Sequence, residues 1–468
     1  MSKGKFNAAV LKQIGRVADR TGTEVYAVGG YVRDRLLDRP VREIDFVVIG
    51  DGPAFARKVA HDLSISPLTV YRKFGTAMLR TADYTLEFVT ARKESYRSDS
   101  RKPDVERADL LTDLSRRDFT INALAVSING KDYGALFDPY NGRHDLEQKL
   151  IRTPLQPEKT FHDDPLRTMR AIRFACQLGF SLEPRTREGL AAERERLEIV
   201  SQERITDELC KILLCSRPSI GLQLMHECGV MGIVLPEIAA LEGVDQIGRY
   251  RHKDVLDHTL KVVDNVAAVC PRLNLRMAAL YHDVAKPATR EFKPESGWTF
   301  HGHDELGARM MKSIGARLRL SGELIDYCRE IIRLHLRPIA LAEEGVTDSA
   351  IRRLLFAAGD LIDDLITLCR ADITSMNPKR VARHLANFDR VVQRMKEVEE
   401  KDRLRQFQPP VRGHEIMQVL GLEPGPLVGV IKKAIEEAIL NGDIPNEHDA
   451  AFEYMMRVKD DLIGKNSV

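Results

Sequence analysis

The stretch VGGYVRD at 28–34, followed by EIDFVVIG at 43–50, decides how this chain is read. The apolar run EVYAV ends at Gly29 and Gly30, and a short helical pattern, VRDRLL, follows. Glycines at a strand end let the backbone approach a phosphate closely, because no side chain intervenes. The start of the next helix offers free N–H groups to an anion, and Arg33 adds a forked positive charge. In the second strand Glu43 and Asp45 stand two apart. Period-2 alternation puts both carboxylates on one face, roughly 6–7 Å apart along the strand. That spacing suits two divalent cations ~3.5–4 Å apart, which clamp a triphosphate and activate a hydroxyl. A tight strand–helix turn and a solvated strand edge are the ordinary meanings of these two features, so the surroundings have to decide.

Working outward, residues 6–20 read as a helix, with Phe6, Val10, Leu11, Ile14, Val17 and Ala18 at helical spacing. A helix is expected over 53–63, and strands near 68–72, 75–81 and 84–91, which makes this half α+β or α/β. Alternation in TLEFVTAR puts Glu87 on one face with Thr85 and Val89, a candidate third carboxylate. The segment 97–107, RSDSRKPDVER, is almost devoid of apolar residues and reads as a mobile loop. From about residue 108 the pattern is helical nearly throughout, with breaks near 140, 216 and 400. The expected division is a head at 1–140, a helical neck at 141–215, a helical body at 216–400 and a helical tail at 401–468.

Composition narrows the choice. The chain has 468 residues, 43% hydrophobic and 30% charged, as expected of globular material in two to four domains. It contains no apolar run of about 18 residues, so no spanning helix is expected, and its first residues lack a signal-peptide pattern, which points to the cytoplasm. Seven scattered cysteines form no CxxC pair, which argues for buried thiols rather than a disulfide framework or a zinc ribbon. Lys and Arg number 71 against 69 Asp and Glu, so any polyanion must be held by local patches. One such patch is 379–412, with ten Lys or Arg against five Asp or Glu, where a phosphate backbone could be gripped.

Two further motifs carry chemistry. In RRDFTINALA, 116–125, Arg116, Arg117, Asp118 and Asn122 precede an apolar helical pattern. The arginines suit phosphates and Asn122 suits a base or sugar edge; a capped helix start is the plainer meaning. In FHDDPLRTMRAIRFACQLGF, 161–180, Arg167, Arg170 and Arg173 recur every three residues along one helical face, after Asp163 and Asp164. Arg167 offers donors in a planar fork and Asp164 offers acceptors, which together match the edges of cytosine and adenine. A salt-bridged solvent face is the commoner meaning of such a pattern.

Taken in order, GGYVRD, IDFVV, EFVTAR, RRDFTINALA, DPYNG, DDPLRTMRAIRFA and SQERITDEL resemble the class II tRNA nucleotidyltransferase and bacterial poly(A) polymerase family. The resemblance is dense over 28–215. It implies a nucleotidyltransferase head related to DNA polymerase β, followed by an all-α neck, body and tail. It implies Mg²⁺ at Glu43 and Asp45, where the family has Asp-x-Asp, and nucleotide binding by Gly29, Gly30, Arg33, Arg116, Arg117, Asp118 and Asn122. The family's Glu-Asp-x-x-Arg base-reading motif maps onto Asp163, Asp164 and Arg167, with Arg170 and Arg173 beside it. SQERITDELCKIL at 201–213 looks like the last neck helix.

A separate signal lies in 250–372. His258 stands in DHTLKVVDNV, His282 and Asp283 in RMAALYHDVAKP, His303 in TFHGHDELG, His335 in RLHLRP and Asp372 in LCRADIT. Adjacent His and Asp in an apolar helix are costly unless paired or metal-bound. The set resembles the HD phosphohydrolase superfamily, with ligand order His258, His282, Asp283, Asp372; His303 and His335 match the added histidines of its binuclear members. Two imidazoles and two carboxylates suit a divalent transition metal. A helical scaffold that has lost its chemistry is the alternative.

The resemblances imply an enzyme that adds or repairs the tRNA 3′-terminal CCA from CTP and ATP. The rivals are a poly(A) polymerase, a partial CC- or A-adding enzyme, and an HD phosphohydrolase whose N-terminal half only binds RNA.

Overall fold

Alternation in EIDFVVI divides the strand it forms into two faces, and the N-terminal part of the protein is arranged around that division. The computed structural model describes residues 9–72, 75–97, 100–248, 251–295, 297–341, 347–374, 377–402 and 410–465. Helix α1 (Ala9–Thr21) leads into β1 (Glu24–Val28), α2 (Gly30–Leu36), β2 (Glu43–Ile49), α3 (Gly52–Asp62), β3 (Leu68–Tyr71), β4 (Thr76–Arg80) and β5 (Thr85–Thr90). Next come β6 (Arg92–Arg97), β7 (Ser100–Arg107), α4 (Leu110–Ser115), β8 (Ala125–Ser127) and β9 (Leu136–Phe137). The seven-stranded sheet runs β3-β4-β5-β2-β1-β8-β9, with β2 at its centre. β2 and β5 are parallel, and the other neighbours are antiparallel.

On one face Ile44, Phe46 and Val48 are buried. Phe46 stacks on Phe88 at 4.9 Å, and Phe88 meets Phe55 of α3 edge-on at 5.7 Å. Asp51 caps α3 by accepting from the Ala54 N–H at 2.8 Å. The opposite face carries Glu43, Asp45 and Val47; there Val47 joins Tyr26, Val28, Leu114 and Ala125 in a second apolar cluster. A slip of one residue would turn Glu43 and Asp45 into the aromatic face, so burial of Phe46 and Phe88 pins the carboxylates in place.

Two expectations are corrected here. Within 97–107, Arg97 and Ser100–Arg107 are strand rather than loop: β6 and β7 pair antiparallel. The main-chain hydrogen bonds between two strands need no apolar side chains, so the polar composition hid them. Nor is the chain helical throughout after 108: α4 is followed by the strands β8 and β9, and the Ala-Val-Ser of β8 is buried at every position, leaving no alternation to read.

The chain divides into two units, Met1–Pro236 and Glu237–Val468. The first also contains a helical part, in which Leu166–Leu178 packs on Gln202–Leu213. The former follows Pro165 and stops at Gly179, whose φ of 70° supplies the left-handed C-cap. In the second unit the helices Val255–Val269, Leu273–Tyr281, His303–Arg317, Gly322–Leu334 and Ile362–Asp372 form the body. Two short hairpins interrupt it, Asp245–Gly248 with Arg251–Asp254 and Glu291–Lys293 with Gly297–Thr299. The helices Gly413–Leu420, Pro426–Asn441 and His448–Lys465 close on a core of their own, built from Val411, Ile416, Ile431, Ile435, Ile439, Ala451 and Met455. No helix among the described residues is long and apolar enough to cross a membrane.

Candidate active sites

The register of the sheet sets three carboxylates on one face. Asp45 lies directly beside Glu87 on the parallel neighbour, and Glu43 is on the same face of β2. Burial pushes the Asp45 carboxyl up from its ordinary value; the Arg117 guanidinium opposes this and Glu43 adds to it. Burial also raises Glu87, and the Asp45 charge adds to the rise. Carboxylate oxygens on one face of the sheet are the donors a hard divalent cation takes, and its charge would relieve their repulsion.

Gly29 follows β1 with φ 65°, and its N–H donates to the Leu124 carbonyl at 3.1 Å. The backbone conformation there favours glycine, and a Cβ would stand 2.8 Å from Nη1 of Arg117 and push that guanidinium aside. At Gly30 a Cβ would make only an ordinary contact, 3.6 Å from Arg33.

Of the paired arginines, Arg117 is the one beside Gly29 and Asp45. Arg116 donates to the Arg92 carbonyl and to Asp113. Asp113, fully buried, also accepts from Arg117 at 3.2 Å and so orients both side chains. Its position three and four residues before the pair on a helical turn was the signal that could have found it.

A continuous polar network runs from the turn into the helical part. Arg33 forks onto Asp34 and donates from Nη1 to Oδ1 of Asn122 at 2.7 Å. The Asn122 amide donates to Oδ1 of Asp118 at 2.9 Å, and Oδ2 of Asp118 accepts from Arg170 at 2.8 and 2.6 Å. Arg173 pairs with Glu208 at 2.6 Å. The guanidiniums of Arg33, Arg170 and Arg173 all lie over the Phe174 ring, 4.0–5.3 Å from its centroid. Glu208 and Phe174 were not singled out in the sequence. Phe174 looks there like one more apolar position of its helix.

Arg167, 8% exposed, donates to the carbonyls of Arg116 at 2.7 Å and Thr160 at 3.4 Å. Its fork is thus anchored to the main chain on both the Arg116 loop and the helix Pro157–Asp163. Asp164 ends that helix, close enough to Arg170 to raise its basicity.

Burial opposes ionisation of Asp118, but Arg170 and Asn122 outweigh it and hold the carboxyl at about 2. The stability it contributes is therefore present above its ordinary value near 4 and is lost as pH falls from there through about 2. Its magnitude is ~2 kcal/mol. Acid unfolding followed by circular dichroism should show Asp118→Asn less stable than wild type at pH 7, with the difference narrowing between pH 4 and 2.

The second unit gathers the other cluster from five helix ends. His258 lies in the first turn of Val255–Val269, His282 and Asp283 follow Leu273–Tyr281, His303 opens its helix, His335 follows Gly322–Leu334, and Asp372 closes Ile362–Asp372. Among the described residues the donor atoms form two triads, His258–His282–Asp372 and Asp283–His303–His335. Asp283 faces both: its Oδ2 is 3.2 Å from His282 and 3.5 Å from His258, and its Oδ1 is 3.4 Å from His303 and 4.0 Å from His335.

The Nδ1 atoms of His282, His303 and His335 each meet the carbonyl three residues back, at 2.8, 2.7 and 2.6 Å. Those bonds fix the tautomer, and the buried Nε2 atoms of the same rings have no hydrogen-bond partner. Imidazole Nε2 atoms and carboxylates converging in a buried space are the donors a divalent cation takes in place of the protons the rings otherwise share with them, so the residues fit a metal centre. Both carboxyls are held well below their ordinary value. Burial works against this, but His282 and Lys286 at Asp283, and His258 and His282 at Asp372, outweigh it. Thr374, bonded to Nδ1 of His258 at 2.9 Å, and Lys286, 2.7 Å from Asp283, complete the cluster and were not read from the sequence.

Residues 25–152 match the poly A polymerase head domain, 179–241 the probable RNA and SrmB-binding site of polymerase A, and 255–377 the HD domain. A CC-adding tRNA nucleotidyltransferase of Thermus thermophilus is 34% identical over 92% of this chain and 93% of its own. An A-adding tRNA nucleotidyltransferase of Deinococcus radiodurans is 31% identical over 90% and 93%. In fold, the chain is similar to a Bacillus stearothermophilus CCA-adding enzyme solved with CTP, with a TM-score of 0.70, 24% identity, and 99% and 100% of the two chains covered. The motifs of the head, the matched domains in their order and the end-to-end likeness of these relatives agree: the chain belongs to the tRNA nucleotidyltransferase and poly(A) polymerase family of nucleotidyltransferases and carries an HD domain.

Proposed function

We propose that this chain adds the 3′-terminal CCA of tRNA, taking CTP and ATP in turn and releasing pyrophosphate. The observation that carries the reading is the placement of Asp45 beside Glu87, next to the Gly29 turn, whose positive φ favours glycine. Glu43, Asp45 and Glu87 would hold Mg²⁺, which when bound neutralises triphosphate charge and makes the tRNA hydroxyl a better nucleophile. The chain's own part is positioning. The Gly29–Gly30 turn leaves room for phosphates, Arg117 stands over it, and the Arg33–Asn122–Asp118–Arg170 network fixes the nucleotide's far side. Such positioning with charge neutralisation supplies most of the rate in phosphoryl transfer. Seven free cysteines fit a reducing compartment such as the cytoplasm.

Asp164 and Arg167 are proposed to read the base edge. Arg167→Ala should therefore lower discrimination of CTP over UTP by about tenfold or more, from the loss of donors to cytosine. The readout is the ratio of kcat/KM values, since losing the two main-chain bonds slows the enzyme in any case. An unchanged ratio would move base reading elsewhere. With tRNA ending before CCA and each NTP supplied singly, CTP should be incorporated and UTP and GTP should not; equal uptake of all four overturns the reading.

A partial activity, CC or A alone, is the second reading, favoured by the two relatives that span the chain. We also propose that the HD cluster is a divalent-metal phosphohydrolase centre, the fit of its histidine Nε2 atoms being the support.

A further inference from the structure

Phe174 is buried in the helix Leu166–Leu178, where its place in the apolar pattern makes it one more core side chain. Its surroundings are not those of a core ring. Arg173 lies over it with Cζ 4.0 Å from the centroid, Arg33 at 4.9 Å and Arg170 at 5.3 Å. Among the described residues no other ring carries more than one cation. The three come from two elements, Arg33 from α2 and the others from the helix of Phe174 itself. Phe119, directly ahead of the turn that carries Asn122, meets the ring at 5.8 Å with planes at 82° and fixes it from a third side.

Each guanidinium has a carboxylate of its own: Asp34 for Arg33 at 2.8 Å, Asp118 for Arg170 at 2.6 Å and Glu208 for Arg173 at 2.6 Å. These pairs neutralise the charges singly and tether them to three different places. None of them brings the cations together, and like charges repel. Burial disfavours the charged form of Arg173, Glu208 favours it, and the Arg170 charge disfavours it again. The ring is the one group that all three share. Its π face attracts cations, and more strongly where water is excluded. Arg33 and Arg173 are nearly closed off, with 7% and 12% of their side chains exposed, while Arg170 keeps 33%. The set therefore opens to solvent at Arg170. Charges gathered before an anion arrives need no rearrangement when it binds, which favours both affinity and rate.

We propose that Phe174 is a positioning residue for the incoming nucleoside triphosphate, its ring face gathering Arg33, Arg170 and Arg173 so that their combined charge is set before the nucleotide binds. This rests on the reading of those arginines as nucleotide ligands and adds the group that arranges them.

The test replaces Phe174 in the full-length protein by phenylalanines of nearly the same shape carrying one, three and five fluorines, which withdraw negative charge from the ring face stepwise. CTP affinity is measured by equilibrium dialysis with Mg²⁺, and incorporation into tRNA ending before CCA is followed alongside. The Kd for CTP should rise in order, about threefold with three fluorines and about tenfold with five. The affinity for tRNA should stay within about twofold. Phe174→Leu, apolar but without a π face, should bind CTP as weakly as the five-fluorine form. A ring that only fills the core would leave the Kd flat across the fluorinated series, whatever the melting temperature does, and a flat series overturns the proposal. Graded CTP binding without incorporation by the wild type would sink the addition reading and leave the role of the ring standing. No CTP binding by the wild type would overturn both.

Discussion

Asp45→Asn is expected to lower incorporation of CTP and ATP by about a thousandfold or more, while tRNA binding in a filter assay stays within about twofold. The substitution keeps the size and burial of the side chain and removes one negative charge. In this site burial and Glu43 work against that charge and Arg117 favours it, so a bound cation would gain from it. A neutral amide there leaves Glu43 and Glu87 to hold the divalent ion alone. Folding should survive, since relieving a crowded carboxylate costs little stability and Phe46 and Phe88 still pin the strand. Incorporation within tenfold of wild type would remove Asp45 from the catalytic centre. Glu43→Asp should keep or raise activity, because it restores the shorter carboxylate of the family pattern.

Asp283→Asn should separate the two centres. It should abolish phosphoester hydrolysis and cut transition metal recovered with the protein to less than about a tenth, because Asp283 is the one carboxylate that faces both triads. Nucleotide incorporation should remain within about twofold, since Glu43, Asp45 and Glu87 belong to the other unit. The melting temperature should fall by a few degrees, as Lys286 loses its partner at 2.7 Å and a buried hydrogen-bonding group is left poorly matched. Elemental analysis and an incorporation assay on the same preparation read both effects. Loss of incorporation in parallel with metal would contradict two independent sites.

What the sequence makes legible here, and what it hides, follows from how each signal is encoded. The carboxylate face of β2 is readable because strand alternation is local: Glu43 and Asp45 alternate with the buried Ile44 and Phe46, and only from Val47 on are both faces apolar. Its partner Glu87 is placed by a parallel pairing across forty residues, which alternation in TLEFVTAR suggests and only the register fixes. The histidine cluster is readable in its ligands because His-Asp in an apolar run is costly. Thr374 and Lys286 are ordinary residues until the fold brings them to His258 and Asp283. Arg33, Arg170 and Arg173 are visible as charges, but their common contact with Phe174, and the buried Glu208 that neutralises Arg173, are tertiary facts. The short strands β8 and β9 carry no period at all, so the far edge of the sheet is invisible until strand pairing is seen.

The head is expected to build a defined CCA end. Three tRNA transcripts, ending before CCA, after the first C and after the second C, are incubated with the protein and all four NTPs, and the product 3′ ends are sequenced. All three should converge on CCA and stop there. Long adenosine tails, or ends that halt at CC or accept only the final A, would contradict it.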